Sequence, residues 1–140
     1  MSLLISLFLL GDSIALGTGQ ALHAPTFAKV GASSCWIADH MPSKVEADVV
    51  VISAGVNDPP GRCVPIIREK ISARKVIWIR PINAARVTVD HVAAQYHDSV
   101  ITYRVGPDHL HPASYQEVAK SLYAIHDPLS WNHRLWLQGR

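Results

Sequence analysis

Residues 47–53 read Ala-Asp-Val-Val-Val-Ile-Ser, and the unbroken β-branched centre of this run suits only a strand buried on both faces. Such a strand can turn neither side to water, so helices must cover it above and below. Leu3 to Leu10 is a second run of this kind, with Ser6 its only polar member, and Lys75 to Arg80 (Lys-Val-Ile-Trp-Ile-Arg) is a third. Shorter apolar stretches at Thr26 to Val30 and Ser99 to Tyr103 complete five expected strands. Segments with helical spacing separate or follow them: Ile14 to His23, Ser33-Ser34 through about Met41, Cys63 to Ala73, Ala84 to Tyr96 and Ala113 to Ile125. In the last, Tyr115, Val118, Ala119, Leu122 and Ile125 form one stripe. Alternation of strand and helix predicts an α/β fold, a three-layer, flavodoxin-like, doubly wound sheet of about five parallel strands.

With 140 residues the chain has room for one such domain, placed at residues 1–126, and for a tail at 127–140 that carries Trp131 and Trp136 with no clear period. Charged residues make up 17% and the net charge is +2, without a dense Lys/Arg run, which argues against a nucleic-acid partner. The N-terminal apolar run is too short to span a bilayer. It also lacks the basic flank of an export signal, since no Lys or Arg precedes Lys29, and cleavage after Gly17 would remove both the first strand and Ser13. A cytoplasmic location is the default expectation. Cys35 and Cys63 make neither a disulfide framework nor a zinc site, but both lie just after strands at the same sheet edge, which leaves a single bridge between them open.

In an open parallel sheet, ligands bind at the C-terminal ends of the strands. There the turn-forming Gly11 is followed by Asp12 and Ser13, so the chain offers a hydroxyl both as a helix N-cap and as a nucleophile. Asp12 suits a structural role, accepting backbone amides. The same edge receives Gly31 after the second strand, Asn57-Asp58 after the third, and Asp108, His109 and His111 after the fifth. Asn57-Asp58-Pro59 taken alone is also a turn sequence. A serine needs a base to take its proton, the base needs an acceptor to fix its tautomer, and a developing oxyanion needs donors. The set contains a candidate for each role, with His109 and His111 both open as base. No third and fourth ligands arrive at usable spacing for a metal, and Gly11, Gly17 and Gly19 fit neither a dinucleotide nor a P-loop fingerprint, so no cofactor is expected. Trp36 and Asp58 lie close enough to these loops to contact a substrate, and Trp36 equally suits the core.

In order and spacing, Gly11-Asp12-Ser13, Gly31, Gly55-Val56-Asn57-Asp58 and Asp108-His109-Leu110-His111 resemble the four sequence blocks of the SGNH hydrolases, the GDSL-like esterases. The likeness runs to about Ile125. It implies Ser13 as nucleophile, His111 as base and Asp108 as the residue that orients it, with the oxyanion held by the amides of Ser13 and Gly31 and the side chain of Asn57. It implies hydrolysis of a short acyl ester through a covalent acyl-enzyme, without metal or organic cofactor, on a small ester or an acylated carbohydrate. Carbohydrate O-acetylesterase, thioesterase or lysophospholipase-like activity, and an inactive binding module on the same fold, are the alternatives. The chain is short for such a family, so its pocket-forming loops must be small and its site open and shallow.

Overall fold

A run of alternating buried strands and amphipathic helices can bury all its apolar faces by winding helices onto both sides of one sheet, and the computed structural model does this. It describes residues 6–125. In chain order the elements are β1 (Leu7–Gly11), α1 (Ser13–Leu22), β2 (Thr26–Ala28), α2 (Ser34–His40), β3 (Val45–Ser53), α3 (Val64–Glu69), β4 (Ile71–Ile79), α4 (Ala85–Tyr96), β5 (Ser99–Ile101) and α5 (Tyr115–Ile125). All strand pairs are parallel, in the order β2-β1-β3-β4-β5. The fold is therefore the α/β, flavodoxin-like, three-layer one expected, and its direction of winding reverses at β1.

Strand alternation divides the core in two. Leu7, Leu9, Val49, Val51, Ile77 and Ile79 pack with Ile14 of α1 and with Val118 and Leu122 of α5. Leu10, Val50, Ile52, Val76 and Trp78 pack on the other face with α2, α3 and α4, through Ile37, Val64, Ile67, Val89 and Val92. Both faces being covered is why β3 needs no polar alternation. The second layer encloses a charged group. Arg68 pairs with Asp98 through Nε at 2.7 Å and Nη2 at 3.0 Å, and Trp78 Nε1 donates to the same carboxylate at 3.0 Å. A fork-shaped guanidinium and an indole donor together satisfy a carboxylate that would otherwise be costly to bury.

Several boundaries differ from those expected. The helix expected over 63–73 ends at Glu69, and β4 starts at Ile71 and not Lys75, because residues 71–73 pair with 45–47 of a longer β3. A free edge on β3 outweighs the helical spacing of these side chains. β2 stops at Ala28, short of Val30, where the chain turns out and leaves Val30 68% exposed. β5 stops at Ile101, since the stretch after it pairs back on itself: Val105 bridges Pro112 and Ala113 donates to Arg104 O at 2.8 Å. That bridge also delays α5 to Tyr115, two residues later than Ala113. The expected strand residues before Ser6, and the tail at 127–140 with its tryptophans, lie outside the described residues. Among the described residues, no helix is long and apolar enough to cross a membrane.

Candidate active site

Register alone brings the candidate loops together. Gly11 lies abreast of Ala28 on one side and Ser53 on the other, so Ser13, Gly31 and Asn57 follow within two to four residues of three adjacent strand ends. Gly11 is needed for the approach: at φ +147° it passes so close to β3 that a Cβ would lie 1.8 Å from the Ser53 carbonyl oxygen. Asp12 then donates its amide to Ser53 O at 3.1 Å, and its Oδ1 accepts from the Ile14 amide at 3.0 Å as the N-cap of α1. Ser13 is thus the first residue of a capped helix at the end of a buried strand.

The segment after β5 crosses to meet it. The Ser13 hydroxyl lies 2.8 Å from His111 Nε2, and His111 Nδ1 lies 2.6 Å from Asp108 Oδ2. A carboxylate only accepts, so Nδ1 carries the proton towards Asp108, and Nε2 is left to accept from the serine. Asp108 is itself fixed, its Oδ1 accepting from the amides of Leu110 at 3.0 Å and His111 at 2.9 Å. The His111 ring bond, with these two amides behind it, holds the Asp108 pKa down to about 2. Of the two histidines, the structure brings His111 to Ser13. His109 is exposed at φ +59°, serving the turn through its amide bond to Gly106 O at 3.0 Å.

The residues expected to donate to an oxyanion line the same edge. Neither the Ser13 nor the Gly31 amide donates to another described residue. Gly31 turns at φ +77°, a conformation that favours glycine although a Cβ would meet open space there. Asn57 is exposed and gives one amide proton to Ala32 O at 2.9 Å, which fastens it to the Gly31 loop and leaves its second proton unassigned. Asp58 is half-buried and ties its loop to the start of α2. It accepts from Ser34, from the amide at 2.8 Å and from the hydroxyl at 2.6 Å. Ser34 is fully buried and also accepts from the Cys63 amide at 3.1 Å. A disulfide joins Cys35 to Cys63 with Cα atoms 4.9 Å apart, a second tie between the two loops.

Trp36 is half-buried and engaged: His40 stacks on it at 4.2 Å, Phe27 lies parallel at 6.1 Å, and Lys29 Nζ sits 4.6 Å from the ring centroid. These neighbours hold the indole in place with part of its surface still exposed. Two residues unmarked in the sequence also brace the site. Asn83 Nδ2 donates to Val56 O at 2.8 Å, and the Tyr103 hydroxyl donates to Leu110 O at 2.8 Å. Burial pushes the Tyr103 phenol up, so it remains a donor. Both hold a carbonyl next to a site residue, a role for which Asn and Tyr carry no sequence signature. Among the described residues, no cluster of three His, Cys, Asp or Glu side chains could hold a metal ion.

Asp12 is the electrostatic exception. It is wholly buried, its Oδ2 has no hydrogen-bond partner among the described residues, and burial pushes its pKa up to about 6. A raised carboxyl means that between about pH 4 and 6 the folded state holds a proton the unfolded chain has lost. Stability from this group is therefore full below that window and falls as pH rises through it, by about 3 kcal/mol in all. Asp12→Asn keeps the capping oxygen and removes the charge. Denaturant unfolding at pH 4 and pH 7 should show the variant gaining on the parent between the two values, and an unchanged difference would place the proton elsewhere.

No family model matches the chain, and no curated protein matches it.

Proposed function

We propose that this chain is a serine ester hydrolase of the SGNH type, acting on short acyl esters. The observation that carries the reading is the Ser13–His111–Asp108 relay, with contacts of 2.8 and 2.6 Å between side chains 98 and 3 residues apart in sequence. His111 takes the serine proton as Oγ attacks the ester carbonyl carbon, and the carbonyl electrons move onto oxygen, where the Ser13 and Gly31 amides and Asn57 receive them. Collapse expels the alcohol, which takes the proton from His111. Water then gives a proton to the same ring as it attacks the acyl carbon, and His111 returns that proton to Ser13 Oγ as the acid leaves. Asp108, charged throughout, orients the imidazole and stabilises its protonated form.

The side chains of His111 and Asp108 are 36% and 52% exposed. With so little apolar wall around the triad, a short acyl group suits the site better than a long one, and an acylated carbohydrate can reach it. The disulfide fits an oxidising compartment better than the cytoplasm. The direct test is labelling with a fluorophosphonate while following p-nitrophenyl acetate hydrolysis. One adduct per chain, on Ser13, with parallel loss of activity is expected; an unlabelled Ser13, or label without loss of turnover, would overturn the reading.

The oxyanion role of Asn57 is separable from folding. Asn57→Ala should lower kcat by about a hundred- to a thousandfold with KM little changed, because the donor acts where charge develops. Asp58→Ala, which strips both bonds from buried Ser34, should appear mainly in the melting temperature. Equal kcat for Asn57→Ala and the parent would reduce Gly55 to Asp58 to a turn.

A further inference from the structure

Beyond the oxyanion loops, on the same edge of the sheet, a cleft of about 320 Å³ opens between the ends of β4 and β5. Arg80, Pro81, Ile82, Arg86, Thr102 and Tyr103 line it. Both walls are fastened to the candidate site. Asn83, in the loop forming one wall, holds the carbonyl of Val56, which precedes Asn57. Tyr103, in the other, holds the carbonyl of Leu110, which precedes His111.

The charges in this cleft do not balance. Arg80 is neutralised by Asp90, which accepts from its Nε and Nη2 at 2.6 to 3.2 Å. Arg86 is exposed and meets no carboxylate among the described residues. One guanidinium is thus left facing a concave surface, in a shape and chemistry suited to a carboxylate, sulfate or phosphate.

We propose that the cleft is a subsite for an anionic group on the alcohol part of the ester, with Arg86 as its ligand; this rests on the esterase reading above. The alcohol side follows from the triad. His111 must return its proton to the leaving oxygen. The segment carrying His111 arrives from β5 and is held by Tyr103, so the leaving alcohol points toward β5 while the carbonyl oxygen lies over β2, β1 and β3. From β1 to the gap between β4 and β5 is two and a half strand spacings, roughly 12 Å. The anion therefore sits well away from the scissile bond, as a charge on a neighbouring unit of a larger acylated molecule would.

The test uses acetate esters of ω-hydroxycarboxylic acids, from acetoxyacetate to acetoxydecanoate, each against its neutral amide, with acetate release followed by NMR. No preference is expected at the shortest spacing. At the longest, the carboxylate should be favoured by about five- to tenfold in kcat/KM, and the preference should vanish in Arg86→Gln and shrink with salt. Equal rates along the whole series, or a preference that survives Arg86→Gln, would overturn the subsite. An enzyme inert to every ester, p-nitrophenyl acetate included, would instead overturn the esterase reading. The cleft is then read by titrating adipate into the Ser13→Ala protein. Amide shifts at residues 80, 82–86 and 102–103 that weaken with Arg86→Gln support anion binding, and their absence excludes it.

Discussion

Ser13→Ala is expected to lower kcat for p-nitrophenyl acetate by about 10⁴-fold or more while leaving the melting curve where it was. The two halves of this expectation have separate causes. Among the described residues the Ser13 hydroxyl bonds to His111 alone, so its loss removes the proposed nucleophile and one part-buried hydrogen bond. The fold around it depends on other atoms: the Asp12 carboxylate caps α1, Gly11 lets β1 pass β3, and Ile14 fills the core beneath. Alanine is also the most favourable residue for a helix. A variant retaining activity within a factor of ten of the parent would end the nucleophile assignment, and one that fails to fold would be told apart by its circular dichroism.

His111→Ala should cost at least two to four orders of magnitude, the usual consequence of losing a general base. The neighbouring control is His109→Asn. Asparagine tolerates the positive φ of 59° found there, so the turn that delivers His111 should survive and the rate should stay near that of the parent. Alanine at 109 would confuse backbone strain with chemistry. If His109→Asn proved the more damaging of the two, the relay from Asp108 would have to be redrawn through the other ring. A double variant, Ser13→Ala with His111→Ala, should be scarcely slower than either single one, since the two side chains act as a unit.

The fold was legible because both-face burial is written into consecutive residues. Val49 to Ile52 leave no polar side for water, and Gly11 marks where such a run must end. The site was legible for the same reason: a parallel sheet collects its loops at one edge, so Ser13, Gly31, Asn57 and His111 could be grouped before any distance was known. Boundaries were less so. Residues 71–73 pair as a strand because 45–47 lie free beside them, a tertiary fact that helical spacing within residues 63–73 cannot express. The braces were not legible at all. Ser34 is one of two adjacent serines at the start of α2, and nothing local shows that Ser33 caps the helix while Ser34 binds Asp58. Asn83 and Tyr103 act on carbonyls 27 and 7 residues away. Residue type alone left His109 and His111 both open, and only the resemblance of the block from Asp108 to His111 pointed to His111, the ring that the structure brings to Ser13.

Loops that carry catalysis ordinarily belong to the least stable part of a protein and open independently of its core. Here Asn57 holds Ala32, Asp58 holds Ser34, Cys35 holds Cys63, Asn83 holds Val56 and Tyr103 holds Leu110. Four of these ties join segments that leave different elements of the fold, and the fifth, Tyr103 to Leu110, braces the β5–α5 connection that His111 joins to Ser13, so no rim loop can lift away without breaking a hold on another segment. In the language of hydrogen exchange, the rim and the sheet beneath it are expected to open as one cooperative unit, so that the hydrogen-bonded loop amides exchange with those of β1 and β3. A change in such a chain that lengthens one of these loops is felt by all of them, which confines tolerated variation to positions outside the ties, such as the exposed Val30 and Val87.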